Sequence, residues 1–182
     1  MTDAGDSDES LVARYARGEG RAFELLYRRH EMRIWRYLER NVRNRATADE
    51  LMQEVWFAVA RDAARYEPSA RFTTWLFTIA HNRMIDSIRT SRRQTSLETL
   101  EYEAEDPGPG PLAAAVARDQ AGALIRAFEK LPGEQREAFL LQIEGDLSVE
   151  EIASIMQSSF ETTKSRLRYA RAKLRELLED YS

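Results

Sequence analysis

The residues best suited to specific chemistry in this 182-residue chain lie in a basic stretch near its C-terminus. Residues 159–175 contain six lysine or arginine residues and a single acid, Glu161. Arginine can bond guanine bidentately, and serine and threonine hydroxyls can bond base edges or phosphates. The stretch therefore predicts a DNA-contacting helix face, although an amphipathic helix with a merely solvated basic face would have the same composition. The candidate contacts are Thr162, Ser165, Arg166, Tyr169 and Lys173, together with Ser159 and Lys164.

The residues before this stretch predict a helix-turn-helix. Ser148 and Glu151 have the spacing of a capping box, which opens a short helix. Residues 157–158 then form a tight turn, and Ser159 caps the long final helix. Ala153 supplies the small side chain that two closely crossing helices require. The order of these elements is that of a DNA-binding helix-turn-helix, in which the second helix reads the major groove.

A second candidate surface lies on a helix predicted for residues 71–93. Polar and aromatic residues recur there at steps of seven, four and three, which places them on one side of a helix. An aromatic ring, an amide and an arginine together can stack on unpaired bases and hydrogen-bond to them. Alternatively, Trp75 belongs to the core, and Asp86 with Arg89 forms a surface ion pair. The members of this surface are Trp75, Asn82, Asp86 and Arg89.

A third candidate surface is acidic and partly apolar. Thr47 and Glu50 predict a capping box that opens a helix extending to about Arg61. The outward side of this helix could dock on a basic partner helix, or it could simply be solvated. Its residues are Glu50, Gln53, Glu54 and Phe57, opposite the apolar stripe Leu51, Met52, Val55 and Val59.

The apolar periodicity predicts an all-α fold that positions these surfaces. Residues 20–44 carry apolar side chains at three- and four-residue steps, typical of an amphipathic helix. Further helices are predicted for residues 8–17, 113–130 and 132–144, and no segment has a convincing strand pattern. Pro132 is expected at the first position of its helix, and Gly145 just past the end of the same helix.

A breaker-rich acidic segment divides the chain into two small helical domains. Residues 98–106 contain five acids and no base, and residues 107–111 alternate proline and glycine. This composition is too polar to bury a core. The expected organisation is an acidic disordered tail (1–7), a four-helix module (8–93), a flexible acidic linker (94–112) and a helix-turn-helix module (113–182).

The composition excludes several classes of function. The chain has no cysteine, which excludes disulfides, thiol catalysis and cysteine-ligated zinc. His30 and His81 are too far apart in sequence to indicate a metal site or a proton relay. No apolar run approaches the roughly 18 residues of a membrane span, and the acidic N-terminus does not resemble a secretory signal. We therefore expect a recognition protein without catalytic residues, metal or cofactor, and its net charge of −4 conceals two cationic surfaces.

Three segments, in order, resemble the sigma factors of bacterial RNA polymerase. The sequence ADELMQEVWF at residues 48–57 resembles their polymerase-binding helix. The sequence FTTWLFTIAHNRMIDSIRTSRR at residues 72–93 resembles their promoter-melting and minus-ten helix. Residues 131–174, with a T-x-K-S-R segment from Thr162 to Arg166, resemble sigma region four. Their order, spacing and intervening acidic linker resemble those of the extracytoplasmic function (ECF, group four) sigma factors of the sigma-70 family.

The resemblance implies a cytoplasmic protein that binds core RNA polymerase and directs it to a promoter subset, as in a stress or envelope-signal response. The implied partners are promoter DNA, the beta-prime coiled coil and the beta subunit of the polymerase, and an anti-sigma factor or another protein regulator. We expect no further domain after the last helix. The implied polymerase contacts are Glu50, Gln53, Glu54 and Phe57.

The resemblance also assigns roles at DNA. The segment 62–73 and the helix after it would capture an unstacked minus-ten base, and the final helix would enter the major groove of the minus-35 element. Gln157 stands where the family usually has glycine, so a left-handed backbone is expected there. The residue at position 169 is often basic in the family, whereas here it is a tyrosine. The implied minus-ten contacts are Phe72, Trp75, Asn82, Arg89, Arg92 and Arg93.

The alternative is a helix-turn-helix regulator that binds duplex DNA without being a polymerase subunit. That hypothesis accounts for residues 131–175 equally well, but it leaves the acidic helix 47–61 and the Trp75 surface unexplained. A purely structural helical adaptor would leave both basic helices unexplained.

Overall fold

The computed structural model describes residues 5–95 and 122–179, and it contains no β-strand within those ranges. This confirms the predicted all-α class. Most of the predicted linker and the first half of the helix predicted for residues 113–130 lie outside the described residues. None of the described helices has the length and apolar character needed to cross a bilayer. The helices are α1 (Asp8–Ala16), α2 (Gly20–Val42), α3 (Arg45–Asp62), α4 (Phe72–Thr95), α5 (122–129), α6 (Gly133–Gly145), α7 (Val149–Ile155) and α8 (Phe160–Glu179).

The end of the predicted N-terminal tail is part of the fold. The side chain of Ser7 accepts a hydrogen bond from the backbone N–H of Ser10 and so caps α1. The carboxylate of Asp6 pairs with Arg14, and the carbonyl of Asp6 accepts a hydrogen bond from Arg29 at 2.8 Å. Asp6 and Ser7 therefore contact the first module, and the tail boundary at residue 7 stays a prediction. Residues 1–4 lie outside the described part of the chain.

The half-buried carboxylate of Asp8 joins α1 to α2. The Nε2 atom of His30 lies 2.7 Å from one carboxylate oxygen of Asp8, and Arg29 donates to the other oxygen at 3.0 Å. Burial raises the pKa of Asp8, but His30 and Arg29 outweigh it, so the pKa lies below its ordinary value. The carboxylate is therefore charged at neutral pH and fixes the start of α1 against α2.

The start of α3 differs from the prediction. The backbone of Arg43 adopts a left-handed conformation after α2, and Asn44 then caps α3 by accepting a hydrogen bond from the backbone N–H of Thr47 at 2.8 Å. The predicted Thr47–Glu50 capping box is therefore wrong, because Asn44 already occupies the N-cap position three residues earlier. The predicted apolar stripe is nevertheless confirmed: Leu51, Met52, Val55 and Val59 are all buried.

The helix-turn-helix is present as predicted, with a one-residue difference at the end of α6. The Ser148–Glu151 capping box is complete, because both of its reciprocal hydrogen bonds are made. Gly145, which was predicted just past the end of α6, is its last residue, and Asp146 after it has a left-handed backbone. A Cβ atom at Gly145 would lie 2.7 Å from Leu147 and 3.4 Å from Phe77. Glycine is therefore required here for close packing rather than for its backbone freedom.

The two modules pack against each other and share one core. Helix α2 packs against α6, and α4 packs against both α6 and α7. The ring of Tyr37 on α2 meets Phe77 on α4 edge to face at 5.4 Å, and Phe77 in turn lies against Gly145 of the second module. One continuous cluster of buried side chains contains residues from both modules. Such packing was not expected of two domains joined by a linker.

Candidate protein and nucleic-acid interfaces

The predicted protein-binding face of α3 is solvent-exposed. Glu50, Gln53, Glu54 and Phe57 are all exposed, and 70% of the surface of Phe57 is accessible. A large apolar side chain at that exposure, next to polar and charged residues, is typical of a protein-docking surface. The exposure follows from local sequence, because these residues alternate with the buried stripe of the same helix.

A groove beside this face extends the candidate docking surface onto α2. It has a volume of about 380 Å³ and runs between α2 and α3. Met32, which is 54% exposed, lies on its wall, and the indole N–H of Trp35 donates to Asp49 at 2.8 Å across it. Met32 was not predicted for this surface, because its only sign in the sequence is that it is apolar and lies outside the stripe of α2. The lining residues are Tyr27, Glu31, Met32, Trp35, Asp49, Met52 and Gln53.

The predicted minus-ten surface is partly exposed and partly core. Asn82 and Arg89 are exposed on one side of α4, whereas Trp75 is half-buried. Phe72 is completely buried, with its ring 5.4 Å from His30. No part of the Phe72 side chain reaches the surface in this packing, and its predicted contact with DNA stays a prediction. Arg92 and Arg93 belong to the last turn of α4, but their side chains lie outside the described part of the structure.

Tyr66 adds to this surface an aromatic residue that was not predicted from the sequence. Its ring lies 5.1 Å from Trp75 and 6.2 Å from Phe72, so three rings form a cluster where the loop enters α4. Its hydroxyl donates to the carbonyl of Ala70 at 2.5 Å. Burial, with Glu9 and Asp8 nearby, raises the pKa of Tyr66 to about 12, so the ring stays neutral at physiological pH. The sign available in the sequence was an aromatic residue inside an otherwise polar loop, which could have indicated a role in the surface.

The predicted minus-35 face of α8 is exposed around Tyr169. Ser159 accepts a hydrogen bond from the backbone N–H of Thr162 at 3.1 Å, which confirms it as the cap of α8. Lys164 and Tyr169 are exposed, as predicted for DNA contacts. Arg168 was not predicted; it is also exposed, and its guanidinium lies 4.9 Å from the centre of the Tyr169 ring. A neighbouring arginine therefore partly supplies the positive charge that Tyr169 itself lacks.

Ser159 and Thr162 are also exposed, whereas the three remaining predicted contacts are less accessible. The side chain of Arg166 is only 18% exposed and forms an ion pair with Glu134 of α6. Lys173 is half-buried and pairs with Glu176 at 2.8 Å, and Ser165 is also half-buried. Arg166 must therefore exchange Glu134 for another partner before it can reach a base.

The turn between α7 and α8 has the backbone expected from the sequence. Gln157 has a φ of 50°, in the left-handed region. The hydroxyl groups of Ser158 and the fully buried Thr163 lie 2.7 Å apart, so each satisfies the other beside the turn. Two polar residues thereby hold the turn without a glycine.

Replacing Gln157 with glycine is expected to stabilise the fold. A left-handed backbone costs a non-glycine residue roughly 1–2 kcal/mol, and glycine gives back roughly 0.5–1 kcal/mol through its more flexible unfolded state. We expect Gln157→Gly to raise the free energy of unfolding in urea by about 0.5–1 kcal/mol. Gln157→Ala keeps the Cβ atom and should give no gain, and equal stabilisation by both variants would contradict this explanation.

Comparison with known proteins shows which family this chain resembles. The Sigma-70 region 2 profile matches residues 26–94, and the Sigma-70, region 4 profile matches residues 121–174. The RNA polymerase sigma factor CarQ of Myxococcus xanthus is 34% identical, over 92% of this chain and 95% of its own length. The ECF RNA polymerase sigma factor SigK of Mycobacterium ulcerans is 28% identical, over 96% of each chain.

Solved structures of sigma factors have the same architecture. CnrH in complex with the cytosolic domain of CnrY has a TM-score of 0.68 at 26% identity, covering 97% of this chain and 100% of that one. RpoE of Bartonella quintana in complex with the anti-sigma factor NepR has a TM-score of 0.66 at 25% identity, covering 80% and 89%. These matches span both modules, whereas a regulator related only through the helix-turn-helix would match the second module alone. The chain therefore belongs to the extracytoplasmic function sigma factors of the sigma-70 family of RNA polymerase.

Proposed function

We propose that this sigma factor binds core RNA polymerase through the exposed face of α3 and its groove. The observation that carries the assignment is the 70% exposure of Phe57, one turn after Glu54 on the helix that resembles the family's polymerase-binding segment. Apolar anchors surrounded by charged residues are typical of protein interfaces, where the apolar part gives affinity and the charges give orientation. We assign the beta-prime coiled coil to this face, and the beta subunit stays among the partners that the resemblance implies.

Promoter recognition is proposed to combine two different kinds of DNA contact. The α8 face around Tyr169 and Arg168 would hold duplex DNA at the minus-35 element, where a helix fits the major groove. The α4 surface around Asn82 and Trp75 would hold unpaired minus-ten bases. Opening the duplex costs roughly 1.4 kcal/mol per stacked step, and each stacked base returns roughly 1–3 kcal/mol. Capture of one or two bases would therefore stabilise a short bubble.

The same proposal places the protein in group four of the sigma-70 family, in the cytoplasm, under control of an envelope or stress signal. It includes regulation by an anti-sigma factor, supported by the similar RpoE structure, which was solved with the anti-sigma factor NepR. In this scheme the sigma factor contributes binding groups only, and the polymerase performs the chemistry.

Permanganate footprinting with purified core polymerase tests the minus-ten assignment. The wild-type chain should make unpaired thymines reactive on a cognate promoter without another factor. Asn82→Ala should lower that reactivity about tenfold, because an exposed amide that binds an unstacked base would be lost. Core binding, measured in parallel, should be unchanged. Equal thymine reactivity in the variant and the wild type would show that Asn82 is a surface residue without a role in melting.

A further inference from the structure

Three glutamates of the second module, spaced seven residues apart, contact the first module. They are Glu137 and Glu144 on α6 and Glu151 on α7, and the first two are buried. Buried carboxylates are costly unless cations or hydrogen-bond donors satisfy them. The donors to all three come mainly from residues of the first module.

Glu144 is held by arginines of α2. Arg36 forms a bidentate pair with it, with Nε 2.9 Å from one carboxylate oxygen and Nη2 2.8 Å from the other. Arg40 donates to the same carboxylate at 3.2 Å, and Arg33 donates to the carbonyl of Glu144 at 2.5 Å. The carboxylate side chain is only 7% exposed, so little solvent screens these pairs.

Glu137 and Glu151 are held mainly by α4 and its entry loop. Glu137 accepts a hydrogen bond from the hydroxyl of Tyr37 at 3.0 Å, and the same oxygen lies 2.5 Å from the Nδ1 atom of His81. Burial together with Glu137 raises the pKa of Tyr37 well above its ordinary value, so the phenol remains a donor. Glu151 accepts a hydrogen bond from Thr74 at 2.5 Å, and Arg71 lies 3.6 Å from it.

These contacts involve the region proposed to bind minus-ten DNA. Arg71 ends the loop assigned to base capture, and Thr74 and His81 lie on α4 with Trp75 and Asn82. Carboxylates of the second module therefore occupy polar groups of α4, and one of them pairs with Arg71 beside it. An anionic DNA backbone would meet like charge along that side of the helix.

With its two modules packed together, the protein is also too short to contact both promoter elements at once. A folded chain of this length is roughly 40 Å across. Elements centred near −10 and −35 lie roughly 85 Å apart on straight duplex DNA, at about 3.4 Å per base pair. Residues 96–121, which connect the modules, are long enough to span at most about 90 Å. Simultaneous contact with both elements therefore requires the modules to separate, and the chain length permits it.

We propose that Glu137, Glu144 and Glu151 form a carboxylate latch that keeps the free sigma factor closed and must open before both promoter elements are bound. This inference rests on the proposed function for its consequence, but the closed state itself is a property of the free chain. Core polymerase would bind the open form, so the latch would slow holoenzyme assembly.

Distance measurement by double electron–electron resonance tests the closed state. The chain has no cysteine, so Ala46→Cys and Ala172→Cys, at exposed positions on α3 and α8, give unique labelling sites in the full chain. In the otherwise wild-type chain, the two spin labels should give a single narrow distribution of short distances. Glu144→Gln leaves Arg36 and Arg40 without their buried partner, so it should raise the fraction of long distances at least about tenfold.

Two further variants separate opening from misfolding and from charge alone. Glu134→Gln removes the same charge from α6, but its partner is Arg166 within the second module, so the short distance should remain. Arg36→Gln with Arg40→Gln breaks the latch from the other side and should reproduce the opening while circular dichroism shows unchanged helix content. A wild type with broad, long distances, or latch variants that stay closed, would overturn the proposal.

Association kinetics with core polymerase test the consequence. Glu144→Gln, and the double variant Arg36→Gln with Arg40→Gln, should associate with core polymerase faster than the wild type does. The increase in the association rate should about equal the increase in the open fraction of the chain. Opening without faster association would show that the interface is not a brake and would overturn the regulatory role. A wild-type chain that never binds core polymerase would instead contradict the proposed function, and the distance measurements would still decide whether the latch exists.

Discussion

A chain carrying both Glu50→Lys and Glu54→Lys is expected to lose at least about a hundredfold in affinity for core polymerase while remaining folded. Both side chains are exposed on α3, opposite the buried Leu51 and Val55. Reversing two charges would place cations against a basic partner, and like-charge contacts at an interface cost several kcal/mol. Exposed substitutions of this kind usually change the free energy of unfolding by no more than about 0.5 kcal/mol. Fluorescence anisotropy with labelled sigma factor measures the affinity, and urea unfolding measures the stability.

The matched control is a second pair of charge reversals at exposed positions elsewhere. Glu24→Lys with Glu150→Lys changes the net charge by the same amount, on α2 and α7. This control should retain core binding within a few-fold, which would exclude a general effect of charge. Wild-type affinity in the folded Glu50–Glu54 variant would exclude this face as the polymerase contact.

Arg166→Ala and Lys173→Ala are expected to affect minus-35 binding in different ways. Arg166 lies in the first two turns of α8, where recognition helices approach base edges, so its loss should cost about 1–3 kcal/mol at the cognate sequence and relax preference at one position. Lys173 lies about two turns further along and should reach only phosphate. Its loss should weaken binding to all sequences alike and reduce the salt slope by about 0.9. A library of minus-35 sequences screened at two salt concentrations measures both effects.

The ion pair between Arg166 and Glu134 provides the decisive control for this prediction. If Arg166 reads a base, Glu134→Gln releases it toward DNA and should maintain or strengthen cognate binding. If Arg166 only fastens α8 to α6, Glu134→Gln should impair binding as Arg166→Ala does. Glu134 is 72% exposed, so loss of the pair itself should cost little stability. If Arg166→Ala weakened binding to all minus-35 sequences equally, Arg166 would not be a residue that reads a base.

The helices and their outward faces could be predicted from the sequence because the signals are local. The stripe Leu51, Val55 and Val59 recurs with the period of one helix, so the exposure of Glu54 and Phe57 follows from the same turn geometry. The capping box of Ser148 and Glu151 likewise depends only on residues three apart. Where two cap-forming residues compete nearby, as Asn44 and Thr47 do, local pattern could not choose between them, and the choice was wrong.

Only the tertiary structure decided which partner each charged or aromatic residue takes. Phe72 has the same spacing whether it faces DNA or the core, and the packing of His30 and Tyr66 around its ring places it in the core. Glu144 and Arg36 are 108 residues apart, and no periodicity relates them. Helix formation is governed by neighbours along the chain, whereas ion pairing and burial depend on distance in space. The outward faces of the helices were therefore predictable from the sequence, whereas the packing of the two modules against each other was not.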